Sequence, residues 1–251
     1  MPNFITEDQI EQALLQRLQH VCGFDVLECH TADPADLNDG SGRLDKRDVL
    51  LPQRLRAAVI RLNPNVPEAT VDAALAQLAD RRQAMSLAAA NREVDNLLRD
   101  GIPVSYDDAQ GNQQQEKLRL IDFGSDGATT NQFLAVSQLW IKCTGPTALA
   151  DYRRPDVLLY VNGIPLVFVE LKNSNVKLKT AYTDNLTNYK HDIPQLFITN
   201  ALCVLSNAVE TRVGSLTGQW EHFFGWLRVN DEKEKVDRKE IAKSGTSLER
   251  L

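Results

Sequence analysis

The chain has 251 residues, 43% hydrophobic and 25% charged, with a formal net charge of -6. That is enough for one large domain or two small ones, and the acidic balance argues against a free-standing, non-specific nucleic-acid binder, because phosphates call for a basic surface. No apolar run approaches a membrane span, and Met1-Pro2-Asn3-Phe4 starts no secretory signal. Cys22, Cys29, Cys143 and Cys203 contain no C-x-x-C pair. Neither a disulfide framework nor a zinc ribbon is implied, and a reducing cytoplasm is the simplest compartment.

Thr6 is a good N-cap, and Gln9 completes a capping box. Ile10, Ala13, Leu14, Leu18 and Val21 then recur at helical spacing. Glu7 falls inside that stripe and Glu11 at its edge. Each is open to two readings: a first-turn carboxylate that suits the helix dipole, or a ligand reaching a site from the helix, for which position favours Glu7. His20, Cys22, Cys29 and His30 match no common zinc spacing. The Asp-, Gly- and Asn-rich stretch 33–47 is a loop.

A helical insert is predicted over about 49–100. Leu51, Leu55, Val59 and Leu62 mark a short helix, and Asn63-Pro64-Asn65-Val66-Pro67 stops it and starts another at Glu68. The Ala- and Leu-rich stretch 71–98 runs on to Gly101, with Arg81, Arg82 and Arg92 on a solvated face. Residues 103–122 read as a hairpin around Gly111-Asn112. The run 131–143 (Phe133, Leu134, Val136, Leu139, Trp140, Ile141) is strand-like and is expected to pair with the strand that follows Gly145-Pro146.

Residues 154–172, Arg-Pro-Asp-Val-Leu-Leu-Tyr-Val-Asn-Gly-Ile-Pro-Leu-Val-Phe-Val-Glu-Leu-Lys, organise the rest. Two apolar, β-branched runs flank Asn162-Gly163, a strong hairpin signal. Asp156 opens the first strand. Glu170 and Lys172, two apart on the second, point to one face. Such charges at the end of an apolar strand are costly unless paired or bound to an ion. Two carboxylates and a lysine there suit a hydrolytic metal site, with Mg²⁺ on the carboxylates and the lysine orienting the water that attacks a phosphodiester. A strict two-residue turn would pair Asp156 with Val169 and put it on the wrong face. A three-residue loop, 161–163, would pair Tyr160 with Ile164 and Asp156 with Phe168, leaving Glu170 as its diagonal neighbour. The sequence therefore predicts that loop, with a bulge and positive φ at Gly163, unless a bulge elsewhere restores the phase.

Between 151 and 190 the basic Arg153, Arg154, Lys172, Lys177, Lys179 and Lys190 outnumber the acidic Asp151, Asp156, Glu170 and Asp184, so this region can accept a phosphate backbone. A helix over about 179–190 carries Asn185 and Tyr189 one turn apart on one face. A buried strand, 201–205, follows and should return parallel to the Glu170 strand. The fold class is α/β: a mixed sheet with helices on both faces.

Pro155-Asp156 followed by Glu170-Leu171-Lys172 on one hairpin resembles the PD-(D/E)xK nuclease superfamily, which includes RecB-like nucleases. The wording Val-Asn-Gly-Ile-Pro-Leu-Val-Phe-Val-Glu-Leu-Lys-Asn over 161–173 resembles the R subunit (HsdR) of type I restriction enzymes. Thr6-Glu7-Asp8-Gln9-Ile10-Glu11 with Gly23-Phe24, then Asn207, Thr211-Arg212-Val213-Gly214 and the aromatics Trp220, Phe223, Phe224 and Trp226, are similar to the same family. The resemblance implies a restriction-endonuclease-like domain over 1–230, then a charged linker, 231–251, toward a helicase-like motor. No G-x-x-x-x-G-K-[ST] motif occurs in the 251 residues. It further implies Mg²⁺-dependent cleavage of double-stranded DNA after ATP-driven translocation by that motor. Asp156, Glu170 and the Leu171 carbonyl would hold the metal, joined by Glu7 or Glu11. Lys172 would complete the catalytic set, with support from Arg153, Arg154, Asn185 and Tyr189. The family usually has Gln where Asn185 stands. Implied partners are the modification and specificity subunits, in the cytoplasm and away from membranes. The rival readings are a non-catalytic docking module and a RecB-like repair nuclease.

Overall fold

Seven apolar segments pair into one mixed sheet whose spatial order follows the chain: β1 (Asp25–Glu28), β2 (Phe133–Ser137), β3 (Val157–Val161), β4 (Ile164–Leu171), β5 (Leu202–Ser206), β6 (Thr211–Gly214) and β7 (Phe224–Gly225). Pairing is parallel for β1 with β2 and β4 with β5, and antiparallel elsewhere. This computed structural model describes residues 4–124, 127–148 and 150–226; the segment read as a linker, 231–251, lies outside them. The expected pairing of the 131–143 run with the first hairpin strand is present, as is the parallel return of the strand near 201–205.

Both faces of the sheet are covered because its central strands are apolar on both sides. One face (Ala135, Val157, Val169, Leu171, Val204) packs on Ile10, Leu14, Leu15 and Leu18 of α1 (Glu7–His20). The other (Leu134, Leu158, Tyr160, Phe168, Leu205) packs on Leu178, Ala181, Leu186 and Tyr189. The predicted capping box of α1 forms between Thr6 and Gln9. Its stripe is rotated from the expected one, however. Ala13 and Val21 face solvent, while Leu15 and Glu11 are buried. The spacing of Ile10, Leu14 and Leu18 fits a stripe flanked on either side, and the larger Leu15 buries more apolar surface than Ala13.

The insert comprises α2 (Pro52–Leu62), α3 (Glu68–Leu78) and α4 (Leu87–Asp100), with the expected hairpin of Ile102–Asp107 and Gln113–Leu118 beside it. The stretch 71–98 is thus two helices and not one. Arg82 sits between them at φ 50. Its guanidinium is buried, donates to the carbonyls of Gln77, Leu78 and Asp80, and pairs with Glu93. The expectation of a solvated Arg82 is corrected: it satisfies carbonyls that the end of α3 leaves open. The 33–47 loop is irregular as expected, but it is pinned from inside. Asp39 is buried yet held down to about 2, because bonds from Lys46, Ser41 and Arg43 outweigh the cost of its burial.

Candidate active site

The central turn differs from prediction. Val161 faces Ile164, so the loop is the two-residue Asn162-Gly163, with φ 52 and 80. Gly163 has the expected positive φ. Asn162 tolerates the same region because its buried amide is engaged: Oδ1 accepts from Gln132 N–H, and Nδ2 donates to the Leu120 carbonyl and Asn131. The phase is restored inside the strand instead. Leu159 faces Val167 while Tyr160 faces Pro165, leaving Leu166 as the extra residue of a bulge. Proline, which cannot donate to a ladder, favours such an irregularity. Val157 then faces Val169 at the end of the ladder; the register, continued one residue past that rung, brings Asp156 beside Glu170, whose carboxyl it repels. The predicted diagonal relation becomes a direct one. Leu158 and Phe168 are also opposed, so by alternation Asp156, Glu170 and Lys172 share the Phe168 face.

Around that pair the charges are close and poorly solvated. Asp156 Oδ2 accepts from Leu171 N–H at 2.7 Å. Lys172 Nζ donates to Glu170 Oε1 at 3.0 Å and to the Leu171 carbonyl at 2.9 Å. Glu170 is 1% exposed, and among the described residues its buried Oε2 has no hydrogen-bond partner. Burial raises the Asp156 carboxyl to about 6, against the Leu171 N–H bond and Lys172. Burial, then Asp156 opposite, pushes Glu170 well above the carboxylate range, and Lys172 offsets only part of this. Burial works against the charge on Lys172, but Glu170 outweighs it and its pKa lies above the ordinary value.

The other predicted residues fall into three groups. Glu7 lies at the rim, half exposed, with Oε1 4.0 Å from Lys172 Nζ and accepting from Asn173 N–H at 3.3 Å. Glu11 is the buried one, raised to about 7 by burial against a bond from Gln138. Arg153 pairs with the buried Asp192 and lies 5.9 Å from the Tyr189 ring centroid; its charge is therefore spent within the fold. Arg154 stacks over Trp140 at 4.8 Å. Tyr189 packs edge-on to Phe168, and its hydroxyl donates to the Arg154 carbonyl at 3.1 Å. Its phenol is raised by burial against a bond from Asn185. Asn185 thus meets Tyr189; among the described residues it makes no hydrogen bond to Asp156 or Glu170. The expected helix over 179–190 is π-helical at Ala181–Leu186 before α5 (Thr187–Asp192), a local widening often found near functional sites.

Sequence reasoning missed Gln138, which directly follows β2 at φ 56 and donates its backbone N–H to the Asp156 carbonyl at 2.9 Å. A polar residue closing an apolar run was its only signal.

Seven mixed strands between helix layers, with an acidic pair and a lysine where two neighbouring strands meet at one sheet end, define a restriction-endonuclease-like α/β fold. The chain belongs to the family described as the type I restriction enzyme R protein N terminus, which it matches over residues 4–222. It is 36% identical over 238 residues to the type I restriction enzyme HindI endonuclease subunit of Haemophilus influenzae, covering 93% of this chain and 21% of that one. It is 27% identical over 259 residues to a putative type I restriction enzyme MjaIXP endonuclease subunit of Methanocaldococcus jannaschii, covering 97% and 22%. A shorter match, 28% over 133 residues, joins it to a type I restriction enzyme endonuclease subunit of Staphylococcus aureus. The chain spans about a fifth of the length of the first two relatives. Among the described residues no helix is long and apolar enough to cross a membrane.

Proposed function

We propose that this chain is the Mg²⁺-dependent endonuclease domain of a type I restriction R subunit. It would hydrolyse phosphodiester bonds of double-stranded DNA after ATP-driven translocation by a motor outside the chain, in a cytoplasmic complex with modification and specificity subunits. One observation carries the reading: Asp156 and Glu170 lie close enough to repel, and the Glu170 Oε2 is buried and, among the described residues, unpartnered. Two buried, mutually repelling carboxylates cost folding free energy that Lys172 offsets only in part, and a further cation between them would remove the rest.

The donor set fits a hard divalent ion. Among the described residues no three Asp, Glu, His or Cys side chains gather into a metal cluster. The set is therefore Asp156, Glu170 and the Leu171 carbonyl, and Mg²⁺ characteristically uses one or two carboxylates and keeps several waters. When bound, Mg²⁺ supplies Lewis-acid polarisation of the scissile phosphate and a more acidic water.

The remaining chemistry belongs to the chain. Lys172, held by Glu170 Oε1 and the Leu171 carbonyl, presents a cation where negative charge develops on the phosphate. Burial of Glu170 keeps its carboxylate away from competing water. Arg154, stacked on Trp140 beside the strand end, presents a guanidinium to a backbone phosphate. Arg153 and Asn185 act indirectly, by fixing Asp192 and Tyr189. The restriction subunits among the relatives favour restriction over repair, and a docking module would have no need of a buried acidic pair. Glu170→Ala in the assembled enzyme tests the reading: plasmid cleavage should be abolished while ATP-driven translocation continues. Retained cleavage would overturn it.

A further inference from the structure

Gln138 occupies a left-handed conformation (φ 56) that costs a non-glycine residue about 1 kcal/mol. Such an outlier persists only where its surroundings hold it. Here it is held at both ends. Its backbone N–H donates to the Asp156 carbonyl at 2.9 Å, and its side-chain Nε2 donates to Glu11 Oε2 at 2.5 Å. Glu11 is buried on α1. The start of α1 is in turn tied to the chain just beyond Lys172. Ile5 N–H donates to Ser174 Oγ at 3.0 Å, Ser174 N–H donates to the Ile5 carbonyl at 3.2 Å, and Asn173 N–H donates to Glu7. One helix therefore grips both arms of the acidic pair, the Glu170 arm through residues 173–174 and the Asp156 arm through Gln138.

We propose that Gln138 is a positioning residue that holds Asp156 opposite Glu170, and that Glu11 acts through Gln138 and not as a metal ligand. The side-chain bond to Glu11 ties the end of β2 to α1, while the buried Leu139 and Ile141 fix the chain beyond it. Loss of that tie frees the end of β2 from α1, so the rung between the residue 138 N–H and the Asp156 carbonyl opens more often. The Asp156 side chain then leaves the Leu171 N–H, the contact that fixes it at 2.7 Å. The consequence for metal binding rests on the reading of the site above; the effect on Asp156 itself does not.

Two variants of each partner separate the roles. Gln138→Gly permits positive φ but removes the anchor, and Gln138→Asn favours the left-handed region with an amide one methylene too short. Glu11→Ala removes the acceptor, whereas Glu11→Gln keeps an oxygen for Gln138 and gives up the charge that a ligand would need. The first readout is amide exchange of Leu171 in the metal-free 251-residue chain, with amides of the β4–β5 ladder as the internal reference for folding. Leu171 should exchange about tenfold faster in Gln138→Gly, Gln138→Asn and Glu11→Ala, and as in wild type in Glu11→Gln. The second is Mg²⁺ affinity by calorimetry, expected to fall about tenfold in the first three and to stay near wild type in Glu11→Gln.

Unchanged Leu171 exchange in folded Gln138→Gly overturns the proposal. So does a Glu11→Gln chain that loses Mg²⁺ affinity as Glu11→Ala does while keeping Leu171 protected, since Glu11 would then be a ligand. If wild type binds no Mg²⁺ yet the three variants release Leu171, the metal reading fails and the positioning role stands. Should Gln138→Gly not fold, the two Glu11 variants carry the same comparison.

Discussion

The buried acids predict an unusual pH dependence of stability when no divalent ion is present. Asp156 is raised from an ordinary 3.8 to about 6 and Glu11 from 4.5 to about 7, in both cases chiefly by burial. Glu170 is raised as well, again first by burial. For an acid with a raised pKa the fold holds a proton that the unfolded chain has already released. The stabilisation is therefore complete below the unfolded pKa, near 4, and is lost as pH rises through about 6 for Asp156 and about 7 for Glu11. A shift of roughly two units is worth about 3 kcal/mol for each group, a large part of the roughly 5–15 kcal/mol that holds a domain together. Thermal melts of the chain in EDTA at pH 5, 6, 7 and 8 should fall by roughly 10 °C across the series, and millimolar Mg²⁺ should restore most of the loss at pH 8. Asp156→Asn should reduce the loss between pH 5 and 8 by about 1.4 kcal/mol and remove the Mg²⁺ effect. A melting temperature that is flat or rises from pH 5 to 8 in EDTA would refute the reasoning, as would an unaltered slope in Asp156→Asn.

Lys172→Ala should abolish cleavage in the assembled enzyme but leave Mg²⁺ binding in place, since an ammonium is not a ligand; loss of metal affinity would mean that it serves to hold Glu170. Gly163→Ala should destabilise by about 2–4 kcal/mol in urea titrations, because the added Cβ would lie 2.8 Å from the Leu51 carbonyl and the Leu55 nitrogen at φ +80; a loss below about 1 kcal/mol would show that the turn can rearrange. The chain alone should bind duplex DNA weakly, with Kd above about 1 μM at physiological salt and a steep salt dependence. Tight binding there would contradict the argument from its charge of -6.

Much of this was readable because it depends on local pattern. The Thr6–Gln9 cap, the Asn162-Gly163 hairpin, the Gly101 stop and the return of the 202–206 strand each rest on a few neighbouring residues. The identity of the acidic pair was equally legible, since charge is rare on apolar strands. Register was not. Two-residue and three-residue turns both suit Asn-Gly, and the bulge that decides the matter lies at Pro165-Leu166, where the Thr199 hydroxyl donates to the Pro165 carbonyl and Ala201 N–H to that of Leu166. Those partners come from distant sequence. The burial of Glu11 rather than Glu7 escaped for the same reason: periodicity places a stripe to within one residue's rotation, and contact with the sheet decides which flank goes inside. Gln138 was invisible because its role lies in φ and in two long-range bonds.

The most direct test of the central claim is anomalous diffraction from crystals of the chain grown with Mn²⁺ in place of Mg²⁺. The account predicts a peak at about 2.1 Å from one oxygen each of Asp156, Glu170 and the Leu171 carbonyl, and none there in Asp156→Ala. An ion bound only elsewhere, or a wild-type site whose carboxylates stay unliganded at millimolar Mn²⁺, would contradict it.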